Sequence, residues 1–541
     1  MSRCTMSGPS LPLSPARRRL VTAGIMTGMF LAALEATVIA TAMPTVIAAL
    51  GGMSRYSWVF SAYLVASTVT VPVWGKLSDL YGRRLFYQIG IAIFLVGSIL
   101  SGLSHSINAL IVYRTIQGAG AGALIPLGMT IIGEIFTVEQ RARMQGLFSG
   151  VWGVASIIGP LLGGFITDQI SWRWVFFVNV PFGIAAALII GLALEEPARH
   201  GRPAIDYAGA VALTGSVTML LLALVGGGGT VASLFGTRNV ALMIGAAIVF
   251  ALFLRIERRA AEPIVPLDLF RDRVVSVAIL IGFLTGVAMF GAITYVPLFA
   301  QGAQGTSATA AGSLLTPLML AWVTMSVVGG RLLLRIGYRP MVLAGLTLMT
   351  AAFAIFWTFD RETPRSWMIT DLALLGAGLG LTMLTLLLAV QQSVPRIRLG
   401  IATSLNQFSR SIGGAVGVAV MGAVLSIGLH LHLGQAAAAG GGGAISARQA
   451  TRLADDPSAL IDPAERALLS PTALEMLQSS LARSLRPVFL VGACVSLLAL
   501  LIAIFRMPAR IPGFEHSFAE GERMVIAEMA TLDPKSEPLS D

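Results

Sequence analysis

Fourteen predominantly apolar runs, parted by short charged hinges, make up most of this 541-residue chain. A helix needs about 20 such residues to cross the hydrocarbon core of a bilayer. The runs lie near 20–46, 58–77, 86–104, 109–133, 144–167, 173–194, 208–226 and 237–254. Six more follow near 274–300, 309–333, 340–359, 367–391, 403–428 and 485–505. They predict an all-α integral membrane protein. Composition agrees, because only 12% of the residues are charged, against about a quarter in a soluble domain.

One hinge occurs twice. Gly75-Lys76-Leu77-Ser78-Asp79-Leu80-Tyr81-Gly82-Arg83-Arg84 follows the second run. Gly330-Arg331-Leu332-Leu333-Leu334-Arg335-Ile336-Gly337-Tyr338-Arg339 follows the tenth, at an offset of 255 residues. Arg141, Arg143, Ser156 and Gly159 meet Arg396, Arg398, Ser411 and Gly414 at the same offset. Duplicated membrane bundles are a transporter architecture. A six-plus-six bundle would repeat its hinge after six runs, whereas here eight intervene, so runs 7 and 8 (208–254) are predicted additions between the halves. The expected organisation is a tail 1–19, a six-helix bundle 20–194, two added spans with linkers 195–273, a second six-helix bundle 274–505 and a tail 506–541.

The formal net charge is +10, yet the bases sit in hinges and form no stripe with interleaved aromatics. That argues against nucleic-acid binding. Arg17 to Arg19, Lys76, Arg83, Arg84, Arg141, Arg143, Arg396 and Arg398 fall on one side of the predicted membrane, which places both termini in the cytoplasm by the positive-inside rule. Cys4 and Cys494 cannot build a disulfide framework or a metal site. An outer loop is expected over 429–484, with an Ala/Gly run at 434–443. Leu474, Leu477, Leu481 and Leu485 predict a short amphipathic helix on its surface. His430 and His432 are expected in that loop, without a metal.

Glu35 lies inside the first run and Arg114 inside the fourth. An ionised carboxylate within a span costs roughly 2.5–3.5 kcal/mol, so it must face a cavity or a partner. Desolvation favours the neutral acid, and a nearby arginine favours the charged one, so a changing distance between them could load and release a proton. Static pairing and binding of a cationic substrate are the competing roles. At about 1.5 Å per residue the two groups reach similar depths below the outer surface. The residue at offset 255 from Glu35 is Phe290, so the second half lacks this acid. Phe60, Tyr63, Trp152, Phe290, Tyr295 and Trp322 could line a cavity for apolar cations or face lipid.

Gly75 to Arg84 resembles the loop 2–3 motif of the major facilitator superfamily. Leu34-Glu35-Ala36-Thr37-Val38 through Pro44 resembles the family's span 1 motif, and Arg114 with Gln117-Gly118-Ala119-Gly120 its span 4 motif. Gly150, Gly153, Gly159-Pro160 and Gly163-Gly164 resemble the span 5 motif associated with antiporters. Trp172-Arg173-Trp174 to Asn179-Val180-Pro181 and Glu262-Pro263 to Leu269-Phe270 agree. With fourteen runs the chain resembles the EmrB/QacA-type drug:proton antiporters. Two departures stand out: Glu35 replaces the family's usual aspartate, and Leu334 stands where the second hinge would repeat Asp79.

The resemblance implies the major facilitator fold, with two six-helix bundles and two extra central transmembrane helices. It implies a monomer in the inner (plasma) membrane of a bacterium, to which accessory envelope proteins could attach. The work expected is export of hydrophobic or cationic small molecules, driven by a proton gradient without a cofactor. Glu35 and Arg114 would couple protons and substrate. Gly75, Lys76, Asp79, Gly82, Arg83 and Arg84 would form a conformational switch, with Asp79 ion-paired to the bases across the inner hinges. The span 5 glycines would offer a flat surface to a neighbouring helix, and Pro160 would permit a bend. A lipid, a siderophore or a self-made antibiotic are alternative cargoes. A membrane enzyme is disfavoured because no histidine lies in a run, and nucleotide-driven transport because no Gly-x-x-x-x-Gly-Lys-[Ser/Thr] is present. A non-transporting sensor is a third class.

Overall fold

The computed structural model describes residues 14–50, 56–196, 206–225, 236–260, 262–306, 308–438 and 471–508. Lipid offers the backbone no hydrogen-bond partner, so each apolar run closes its own bonds as a helix. The first eight are α1 (Pro15–Leu50), α2 (Tyr56–Tyr81), α3 (Arg83–Gly102), α4 (Ile107–Ile135), α5 (Val138–Gln169), α6 (Trp174–Ala193), α7 (Tyr207–Val225) and α8 (Thr237–Glu257). The series continues with α9 (Arg273–Leu298), α10 (Leu315–Ile336), α11 (Tyr338–Phe356), α12 (Arg365–Ser393), α13 (Leu399–Ala438) and α14 (Pro471–Arg506). Among the described residues, twelve helices are long and apolar enough to cross a membrane. The chain is a multi-pass membrane protein. α1 and α5 are two further long helices, of 36 and 32 residues.

The two halves repeat one packing scheme. α4 lies against α2 and α3 as α12 lies against α10 and α11, and α1 pairs with α5 as α9 pairs with α13. Glycines permit the close approach. A Cβ on Gly118, Gly120 or Gly122 would strike the backbone of Tyr63, of Gly90 and Phe94, or of Ser67. On Gly376, Gly378 or Gly380 it would strike that of Leu318, Gly345 or Trp322. The struck residues keep the offset of 255, whereas α4 and α12 are offset by 258. The second hinge, faint in sequence, has the same backbone as the first: Gly82 has φ 111° and Gly337 φ 85°, values that side chains disfavour.

We expect Gly376→Val to destabilise the protein by about 1–3 kcal/mol or more, because the added methyls meet Leu318 main chain. Gly150→Ala, where a Cβ meets nothing within 4 Å, should leave stability unchanged or slightly higher. Thermal melts of the detergent-purified variants would check both, and equal melting temperatures would refute the packing argument.

The halves meet along two repeat-related helix pairs, α2 with α13 and α10 with α5. α7 touches both α2 and α13, so the added pair leans on one side of this seam. Leu213 and Leu221 of α7 and Phe253 of α8 join Val65 and Val69 of α2 in the larger apolar core. α8 turns Ile244, Ile248 and Leu252 outward, as a lipid-facing helix would.

Several expectations are corrected. α1 begins at Pro15, inside the expected tail, with Arg17 paired to Glu195 and Arg18 reaching Gln140. The expected outer loop 429–484 is helical at both ends, since α13 runs to Ala438 and α14 starts at Pro471. Leu477, Leu481 and Leu485 are fully buried and continuous with the last span, not part of a separate surface helix. Their spacing reports a buried face but not what covers it. His430 and His432 lie within α13, with Nδ1 atoms 2.8 Å from Ser426 O and 3.1 Å from Ser484 Oγ. The stretch 439–470 and the tail from 509 lie outside the described residues.

Candidate functional site

Two polar clusters stand out inside this apolar body. In the first, Glu35 of α1 and Arg114 of α4 form an ion pair through Oε1 and Nη1. Each residue is only 2% exposed. The second carboxylate oxygen accepts from Asn179 Nδ2 of α6, which also donates to Ser98 Oγ of α3 at 3.0 Å. Arg114 Nη1 donates to Gln117 Oε1 at 2.8 Å, and its Nε to Val59 O of α2 at 3.5 Å. The Tyr63 ring lies 4.2 Å from the guanidinium carbon, within cation–π range. Five helices of the N-terminal half thus converge on one charge pair.

Burying two ions costs several kcal/mol each, offset by their attraction and by hydrogen bonds from neighbours. Glu35 and Arg114 were expected at similar depths, and they are in contact. Asn179, Gln117 and Ser98 were not anticipated as partners, although Asn179 and Gln117 stand in the stretches that carry the family resemblance. A lone amide within an apolar run is the signal that could have marked them. Phe290, the counterpart of Glu35, packs on Gly414. Phe60 packs against the apolar cluster of Leu34, Val59 and Leu110 beside the pair; Tyr295 lies elsewhere and donates to Val418 O at 2.7 Å.

The second cluster is the first hinge. Arg83 is 0% exposed. Its guanidinium pairs with Asp79 and, at 3.0 Å, with Glu134 of α4, and it donates to Ser78 Oγ at 3.3 Å. The Asp79 oxygens accept N–H groups of Gly400 at 3.0 Å and Ile401 at 2.8 Å. Those are the second and third residues of α13, so a carboxylate of one half caps a helix of the other. Unpaired N–H groups and the helix dipole both favour an anion there. Gly75 allows the approach, since a Cβ on it would strike Ser404.

Lys76 does not pair with Asp79 as expected. It meets Glu262 at 2.9 Å, on the linker between α8 and α9. Asp268 of the same linker pairs with Arg398, whose hydrogen bond holds the Asp268 carboxyl below the usual carboxylate range. The expected ion pair of Arg84 is absent: its guanidinium is exposed and pairs with no described residue. Its N–H instead donates to Glu196 at 3.1 Å, beside that of Arg83 at 2.7 Å. Glu134, Glu196 and Glu262 come from elements far along the chain, so the hinge alone could not reveal them.

The span 5 glycines divide into two groups. A Cβ on Gly150, Gly153 or Gly164 would meet nothing within 4 Å. Gly159 and Gly163 are buried, while the Pro160 side chain lies outside the described residues. α5 packs on α1 and α10.

Residues 25–418 match the family profile of the Major Facilitator Superfamily. The chain belongs to the Major Facilitator Superfamily. This facilitator is 40% identical over 410 residues to "Multidrug transporter protein MdtP" of Bacillus subtilis (strain 168), covering 76% of each chain. It is 34% identical over 497 residues to "Multidrug resistance protein 3" of the same organism, covering 92% of this chain and 96% of the relative. Among solved structures it resembles the proton:xylose symporter XylE bound to 6-bromo-6-deoxy-D-glucose. That match has a TM-score of 0.56 and 12% identity, covering 93% of this chain and 99% of that one. A human organic anion transporter matches with a TM-score of 0.55 and 16% identity, covering 89% and 100%. At those identities the solved structures bear on the fold alone, which is that of the superfamily.

Proposed function

We propose that this facilitator is a fourteen-span, monomeric antiporter that exports hydrophobic, cationic small molecules in exchange for protons, by alternating access. The hinge side and both termini face the cytoplasm of a bacterial cell, and the membrane is the inner (plasma) membrane. The observation that carries this reading is the buried Glu35–Arg114 pair. The acid is sealed among five helices with one arginine as its counter-charge, and an unpaired carboxylate inside a span is costly, so the step at which we place proton exchange is the rearrangement that parts the two. The names of the two Bacillus relatives support drug-like cargo. No cofactor is invoked, because the driving force is the gradient.

The hinge cluster sets the alternation. Asp79 holds the inner ends of α2 and α13 together, so the cargo path is shut on the cytoplasmic side and the conformation faces outward. Opening inward removes the cap from α13 and leaves Asp79 with Arg83.

The test is purified protein in liposomes with an imposed pH gradient and a lipophilic cationic dye as cargo. Dye should accumulate against its gradient while protons flow the other way. Equal dye movement with and without the gradient, and no proton flux, would overturn the reading.

A further inference from the structure

The C-terminal half has no copy of Glu35, yet it buries an acid of its own. Asp371, in the second turn of α12, is 2% exposed, and among the described residues neither Oδ1 nor Oδ2 has a hydrogen-bond partner. The charged and titratable groups of the surrounding elements are placed or engaged elsewhere. Arg273 of α9, Arg331 and Arg335 of α10 and Arg339 of α11 lie at the hinge end, whereas Asp371 lies near the opposite end of α12. Arg365, one turn earlier, donates to Ser313 Oγ at 2.8 Å. Arg410 of α13 donates to Gln407 and to Met383 Sδ. Tyr295 of α9 donates to Val418 O, Arg141 of α5 to Gly133 O and Phe136 O, and Arg486 of α14 to Phe359 O.

A carboxylate charge in this position would have no counter-charge and no hydrogen bond, so its desolvation would go unanswered. The site accommodates the neutral acid. Its place in the repeat is informative. The 258-residue offset between α4 and α12 sets Leu372 opposite Arg114, so Asp371 stands at the depth of the N-terminal charge pair. Gly378, seven residues on and on the same helix face, lies against Gly345 of α11. Asp371 therefore belongs to the α11–α12 contact, where a small shift between two helices changes what the acid meets. Intramembrane acids without a structural partner mark proton paths.

We propose that Asp371 is a second proton-binding site, held protonated in the conformation described and discharged when α12 moves against α11. Each half then carries one proton, through unlike devices: Glu35 by exchange of a counter-charge, Asp371 by burial alone. The inference rests on the proton-exchange reading above. The test uses the full chain in liposomes and counts protons moved per dye molecule for wild type, Asp371→Asn and Glu35→Gln. It also records the infrared carbonyl stretch of protonated carboxylic acids. Asp371→Asn should export with one proton fewer per cargo and lack one acid band that Glu35→Gln retains. An unchanged proton count with an unchanged band would overturn the proposal. If wild type moves no protons at all, the exchange reading fails, and the band still decides whether Asp371 is held neutral. If Asp371→Asn does not fold, Asp371→Leu, which suits the apolar surroundings, takes its place. Thermal melts of each variant confirm folding.

Discussion

Glu35→Gln is expected to leave a folded carrier that no longer accumulates cargo against a gradient, with proton-driven uptake reduced to background. The amide keeps the size of the side chain and one oxygen to accept from Arg114 or Asn179. Arg114 then lacks a counter-charge, but Gln117, Val59 O and the Tyr63 face still hold it. Removing the other partner is worse. Arg114→Leu strands the acid, and breaking a buried pair from one side costs about 3–5 kcal/mol, so that variant should melt earlier and reach the membrane in smaller amounts. Dye uptake into liposomes with and without a pH gradient, alongside melting curves, separates coupling from folding. Normal proton-driven uptake by Glu35→Gln would rule out coupling through this residue.

Asp79→Ala should release the closed inner side. The substitution removes an anionic cap from α13, worth about 0.5–2 kcal/mol, and one of the two acids that balance the buried Arg83. A loss of about 2 kcal/mol changes the ratio of two conformations roughly 30-fold. Spin labels on the inner ends of α2 and α13 should report longer distances, and turnover should fall while surface expression holds. Asp79→Asn, which keeps one capping oxygen, should lie between. Distances and rates equal to wild type in both variants would end the switch hypothesis.

Much of this was legible in the residues, for identifiable reasons. The apolar runs gave the helices because lipid leaves the backbone no alternative. The duplicated hinge gave the repeat, and its weak second copy proved structural at Gly337. Glu35 and Arg114 were visible because charge is rare in such runs. Asp371 was equally visible as a letter and still carried no message, since its meaning depends on having no partner, a property of packing alone. Glu134 and Glu262, which meet the Arg83 and Lys76 side chains, and Glu196, which accepts the N–H groups of Arg83 and Arg84, were hidden for the opposite reason: they sit at a helix end and in linkers dozens of residues away. Helix ends were misjudged where apolar and polar stretches grade into one another, as at Pro471.

The stretch joining the two lobes is staked at both ends, by Glu262 to Lys76 on one gatepost and by Asp268 to Arg398 on the other. It is a tethered strap, and the inserted hairpin of α7 and α8 leads directly into it. If the lobes rock as proposed, the motion should work against these two tethers or carry the hairpin along through lipid. The bilayer's own stiffness thus enters the cycle time, and pumps of this build should feel the thickness and fluidity of their membrane more keenly than cousins whose lobes are joined by loose string.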